Sequence, residues 1–189
     1  MAKKQKFPRY LRKEEVVKLL EKVYDTESGV RDRLFLRMLL GTGLRRAEAV
    51  NITPGDIRLR EGVLQVREGK GCKDRVIPIQ TALAQELLDY AEYKRKNTDE
   101  PIFRFSLTWV NHLVTKYGQR AGIGSIHPHT LRHTFAVQSI LAGRDLATVQ
   151  HDLGHSNIQT TSIYLQMTAE DRKRVHAANP LPWEIEGGA

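Results

Sequence analysis

At 189 residues and 40% apolar composition, the chain is long enough for one domain that buries about 70% of its unfolded surface, so folding requires neither a metal nor a disulfide. No stretch approaches the roughly 18 apolar residues of a membrane span, and no apolar signal region follows the basic start MAKKQKF, so neither a membrane nor a secreted protein is predicted. One cysteine, Cys72, and a net charge of +8 imply a reducing, cytoplasmic setting and favour a polyanionic partner, because clustered Lys and Arg release counterions from nucleic acid.

Residues 1–11 read as an extended basic lead-in, with Pro8 holding Phe7 out of helical geometry. Glu14 and Glu15 open an amphipathic surface helix with Val16, Val17, Leu20, Val23 and Tyr24 on one face. Residues 31–40 are denser in apolar side chains and close at Gly41-Thr42-Gly43, which predicts a buried helix ending in a tight turn. A further helix over 45–51 leaves Arg45 fixed between core elements. From 57 to 79 the apolar period becomes two: IRLR, a Glu61-Gly62 turn, VLQVR, the loop EGKGCKD and RVIPI predict three short antiparallel strands.

Helices return over 81–95, with Leu83, Ala84, Leu87, Leu88 and Ala91 inward, and over 108–120, stopping at Gly122. Two more follow, over 130–142 before Gly143 and over 146–153 before Gly154. A short helical segment carries Tyr164, and a last helix opens where Thr168 and Asp171 form a T-x-x-D cap. The predicted fold is mainly α with a small three-stranded antiparallel sheet, one domain over 12–179 and a loose tail over 180–189.

The titratable residues gather in a few short motifs. HPHTLRH offers His129, Arg132 and His133 at one-turn spacing, GTGLRRAE carries Arg45 and Glu48, GKGCKDR holds Lys70 and Lys73, and Tyr164 follows His155 of LGHS by nine positions. Cleavage of a phosphodiester needs a nucleophile, stabilisation of charge on the phosphoryl oxygens, and a proton for the leaving alkoxide. Arg45 and Arg132 suit the charge, since a guanidinium meets two oxygens at once and stays protonated. Tyr164 suits the attack, the histidines exchange protons near neutrality, and Lys70 or Lys73 on a turn can reach the leaving oxygen.

Each of these residues also has a plainer reading. Arg45 and Glu48 fit an ordinary helix pair, Tyr164 a capped core tyrosine, and the two lysines a solvated hairpin tip. The pairs His129/His133 and His151/His155 have zinc-compatible spacing but lack the H-E-x-x-H glutamate, and His133 fits a packed position behind its helix.

Taken in order, GTGLRxxE, GKGxKxR, HxLRH, LGHS and the downstream tyrosine resemble the catalytic domain of tyrosine recombinases, the Xer and phage-integrase group, over about residues 7–178. The resemblance implies that Arg45, Lys70, His129, Arg132 and His155 surround the scissile phosphate. Tyr164 would form a 3′-phosphotyrosyl bond, with no cofactor, ATP or divalent metal required. Glu48 would support the arginine helix, and Arg46, Lys73 and Arg75 would contact DNA. The partners implied are double-stranded DNA and three further copies of the chain, the tetramer joined through the C-terminal helix. Relatives usually carry a separate helical DNA-clamping domain before this region, and the present chain starts where the linker to it would lie. Three rivals are a type IB topoisomerase-like activity, an inactive DNA-binding regulator of the same fold, and a metal-dependent nuclease.

Overall fold

Leu34, Phe35, Leu36, Met38 and Leu39 are apolar on nearly every side of one helix, and such a helix must run through a core. In the computed structural model, which describes residues 9–67 and 74–154 together with Lys173, that helix is α2 (Glu27–Thr42), the axis of the domain. The Thr26 hydroxyl caps its start, accepting from the Gly29 N–H at 3.1 Å. Gly43 ends it at φ 65, where a β-carbon would lie 2.4 Å from the Phe135 ring, so only glycine fits.

Around α2 pack α1 (Lys13–Glu21), the single-turn α3 (Arg46–Ala49), α4 (Thr81–Tyr93), α5 (Leu107–Arg120), α6 (Pro128–Leu141) and α7 (Leu146–Leu153). A main core joins the helices to the sheet, and a smaller cluster of Phe135, Val137, Ile140, Val149 and Leu153 locks α6 to α7. No helix among the described residues is long and apolar enough to cross a membrane.

The sheet has the predicted antiparallel order, β1 (Ile57–Arg58), β2 (Val63–Val66) and β3 (Arg75–Pro78). Leu64 faces Ile77 and Val66 faces Arg75 across the β2–β3 ladder. Period-two alternation thus turns Leu64, Val66, Ile77 and also Arg75 toward the interior, while Val76 faces out.

Two expectations are corrected. The buried stripe of α1 is Val16, Leu19 and Leu20, continued by Val23 just past the helix, with Leu19 fully buried, whereas Val17 and Tyr24 are exposed. Tyr24 lies beyond the helix end, out of its periodic phase, and its ring carries the Arg120 guanidinium at 3.6 Å. The helix expected over 45–51 is shorter, with Arg45 as the residue that precedes it in extended conformation. At the end of the lead-in, Leu11 is buried and its N–H donates to Thr134 Oγ1 at 2.9 Å.

Candidate active site

Arg45 owes its place to Glu48. The Arg45 N–H donates to Glu48 Oε2 at 2.7 Å, half of a capping box, and its Nη1 donates to Glu48 Oε1, also at 2.7 Å. Its Nη2 then reaches across to the carbonyl of Gly154 at 2.8 Å. Arg132, on α6, is 5% exposed and donates from Nη1 to the Gly43 carbonyl at 2.8 Å and from Nη2 to the Leu153 carbonyl at 2.6 Å. The glycine that ends α2 therefore also seats Arg132.

A third arginine completes the arrangement. Arg75 donates from Nε to the Asp152 carbonyl at 2.9 Å and holds both Glu48 oxygens, at 3.1 and 2.9 Å. Three successive carbonyls at the end of α7, those of Asp152, Leu153 and Gly154, thus each receive one arginine. The physical reason is plain: terminal carbonyls lack partners within the helix and carry the negative end of its dipole. Gly154 turns the chain into the left-handed region at φ 63, and the next residue is His155.

Burial raises the Glu48 carboxyl, but hydrogen bonds and charge from Arg75 and Arg45 outweigh it and hold the group below the usual carboxylate range. Glu48 is ionised at any working pH and joins two of the arginines. Asp152 is the opposite case. Burial lifts its carboxyl above the usual range despite Arg144 and His151 nearby, and its Oδ2 has no hydrogen-bond partner.

Arg45 and Arg132 open onto a cleft of about 780 Å3 whose walls include Arg46, Asn111, His112 and His129. Arg46 Nη1 donates to Asn111 Oδ1 at 2.8 Å and ties α3 to α5 at the rim. His129 lies in the first turn of α6, where burial, and then the charge of Arg132, lower its pKa. Its ring is therefore neutral at pH 7, one nitrogen accepting and the other donating.

Among the sequence-predicted residues, Arg45, Arg46, His129 and Arg132 meet in the cleft, Glu48 lies behind Arg45, and His133 is buried in α6. Arg75 lies apart from the cleft. Its side chain is 6% exposed, and its guanidinium, held by Glu48 and the Asp152 carbonyl, braces the interior. Lys70, Lys73, His155 and Tyr164, with the expected C-terminal helix and tail, lie outside the described residues.

Thr108, Asn111, His112 and Thr115 were not anticipated. They fall at i, i+3, i+4 and i+7 of α5, a polar stripe opposite Val110, Leu113, Val114 and Tyr117. That uncharged stripe was the available signal.

Residues 9–171 match the phage integrase family, and the chain belongs to that family. It is 38% identical over 188 residues to tyrosine recombinase XerA of Thermococcus kodakarensis, covering 95% of this chain and 66% of that one. The chain thus spans just under two thirds of that curated relative. The fold matches the crystal structure of XerA recombinase with a TM-score of 0.79 and 28% identity, over 93% of this chain and 66% of that one. It also matches XerH site-specific recombinase bound to difH substrate, with a TM-score of 0.74 and 25% identity, over 89% of this chain and 53% of that one.

Proposed function

We propose that this chain is the catalytic unit of a site-specific DNA recombinase, with residues 12–179 as its catalytic domain. The observation that carries the reading is the convergence of Arg45 and Arg132, far apart in sequence, on one cleft with His129, both anchored on carbonyls directly before His155. Guanidiniums fixed in this way are organised before substrate arrives, which is how charge on a phosphoryl group is stabilised without reorganisation. Membership of the phage integrase family and similarity to XerA support the same reading.

In the proposed reaction the Tyr164 phenol oxygen attacks the scissile phosphorus while the bond to the 5′-oxygen breaks. The neutral His129 ring accepts the phenol proton, with His155 beside the phosphate. Arg45 and Arg132 neutralise the phosphoryl oxygens, and Lys70 gives a proton to the leaving 5′-oxygen. The 3′-phosphotyrosyl ester keeps the energy of the broken bond. A 5′-hydroxyl from a second duplex can then reverse the step, without ATP or a divalent metal. Glu48 holds Arg45, Arg46 and Lys73 contact the duplex backbone, and four copies assemble on DNA through the C-terminal helix.

The test is incubation, with EDTA present, of the chain with nicked suicide duplexes carrying candidate sites. A covalent protein–DNA adduct followed by joining to a second duplex supports recombination. Relaxation of a supercoiled plasmid without partner exchange would indicate the topoisomerase-like alternative, binding without adduct the inactive regulator, and loss of cleavage with EDTA the nuclease.

A further inference from the structure

A second basic recess lies between α2, the end of α4 and the segment leading into α5. It encloses about 420 Å3, and its lining includes five cations, Arg31, Lys94, Arg95, Lys96 and Arg104, and one carboxylate, Glu100. Two of the cations are satisfied: Arg31 donates to Asp32 Oδ1 from Nε at 3.0 Å and Nη2 at 2.8 Å, and Lys94 pairs with Glu27.

The balance fails at Lys96. Its side chain is 9% exposed, and its Nζ has no hydrogen-bond partner. Glu100 Oε2 stands 3.8 Å away, beyond hydrogen-bond reach, and Arg104 Nη2 lies the same 3.8 Å from that oxygen. An ammonium buried with its donors unmet is costly. The preceding residue, Arg95, adopts φ 51, a left-handed conformation that side chains other than glycine and asparagine avoid. That residue closes α4, the Arg95 N–H donating to the Glu92 carbonyl at 2.8 Å and the Lys96 N–H to the Ala91 carbonyl at 2.9 Å, and this helix-ending turn carries Lys96 into the recess with its ammonium donors unmet.

We propose that the recess is a binding site for a phosphate group, which displaces the Glu100 carboxylate from between Lys96 and Arg104. A phosphate oxygen drawn to normal charge-assisted distance meets the donors that the carboxylate at 3.8 Å leaves unmet. The phosphate belongs either to the backbone of a bound duplex or to a free phosphate or polyphosphate. Phe105 lines the recess and Thr108, three residues on, lines the cleft, so one bound strand is able to touch both. The site stands on its own geometry and does not depend on the cleavage chemistry proposed above.

Pyrophosphate titrated into the 15N-labelled full chain, followed by amide shifts, tests it. Saturable shifts at Arg95, Lys96, Glu100 and Arg104 are expected, lost in Lys96→Met and saturating at severalfold lower concentration in Glu100→Gln. Shifts confined to the cleft residues Arg45, Arg46 and His129, or recess shifts that persist unchanged in Lys96→Met, overturn the proposal. Lys96→Met removes an unsatisfied charge, so its thermal midpoint should not fall; should it misfold, the gain in Glu100→Gln decides alone. A second arm uses an uncleavable duplex. A log–log salt dependence shallower by about 0.9 in Lys96→Met assigns the phosphate to the DNA backbone. An unchanged slope, with the pyrophosphate shifts present in the wild type, assigns it to a free phosphate.

Discussion

Arg75 and Glu48 form a two-pronged ion pair, Nη1 to Oε1 at 3.1 Å and Nη2 to Oε2 at 2.9 Å, with both side chains more than nine-tenths buried. The same two carboxylate oxygens hold Arg45, and Arg75 also grips the end of α7. Removing Arg75 therefore leaves a buried carboxylate short of a partner and frees a carbonyl beside the seats of Arg132 and Arg45. Arg75→Met should lose about 3 kcal/mol of stability, the lower end of the range for breaking a buried pair, measured by urea unfolding. Arg75→Lys keeps the charge but cannot span Glu48 and Asp152 together. Its single-turnover cleavage should fall by about tenfold or more, the scale of about 1.4 kcal/mol, with DNA affinity unchanged. Weaker DNA binding with an unchanged rate would return Arg75 to the DNA surface.

Arg45→Lys and Arg132→Lys preserve net charge and remove the planar fork that lets one group hold its carbonyl and meet phosphate. Each should reduce cleavage by about 10² to 10³, the scale for removing one donor to a developing oxyanion. Rates near wild type in both variants would make these arginines purely structural.

Asp152 gives a pH signature. Because burial raises its carboxyl, the folded state holds that proton more tightly than the unfolded chain, whose ordinary value is 3.8. The penalty is absent below pH 3.8 and grows as pH rises through the raised folded value; it is complete above it. Asp152→Asn removes the ionisation and keeps the main-chain carbonyl that seats Arg75. It should raise the thermal midpoint at pH 8 by a few degrees, on the scale of about 1 kcal/mol, and by less at pH 4. A gain that is equal at both pH values, or larger at pH 4, contradicts the burial argument.

The order of helices and the three strands were legible because apolar periodicity switches cleanly from the helical to the strand period between Asn51 and Ile57 and back at Thr81. The cleft was legible because its arginines and His129 sit in dense motifs. Arg75 was less legible. In RVIPI it shares a face with Ile77 and Ile79, both buried, so the alternation pointed inward, whereas the family resemblance placed it among the DNA contacts. Only the three-dimensional neighbour, Glu48, explains why an arginine is tolerated there. The three carbonyls of α7 carried no side-chain signal, since every residue type has one.

The proton donor can be assigned by chemistry. A sulfur in place of the bridging 5′-oxygen makes the leaving group a thiolate, which needs little proton assistance because thiols ionise near 8.5. Lys70→Ala should cleave normal DNA poorly and the sulfur-substituted strand nearly normally, while Arg132→Ala stays defective on both. Rescue of Lys73→Ala instead would exchange the two lysines' roles, and rescue of neither would move the donation to a histidine.

Tyr164 is the proposed nucleophile of the Arg45–Arg132 cleft. Deleting its hydroxyl removes the attacking oxygen and leaves the ring. With a nicked suicide duplex and mass mapping of the attached peptide, the wild type should form a covalent adduct at Tyr164. Tyr164→Phe should bind the duplex with unchanged affinity and form none. An adduct in Tyr164→Phe, attached at Tyr10, Tyr24, Tyr90, Tyr93 or Tyr117, would contradict the account.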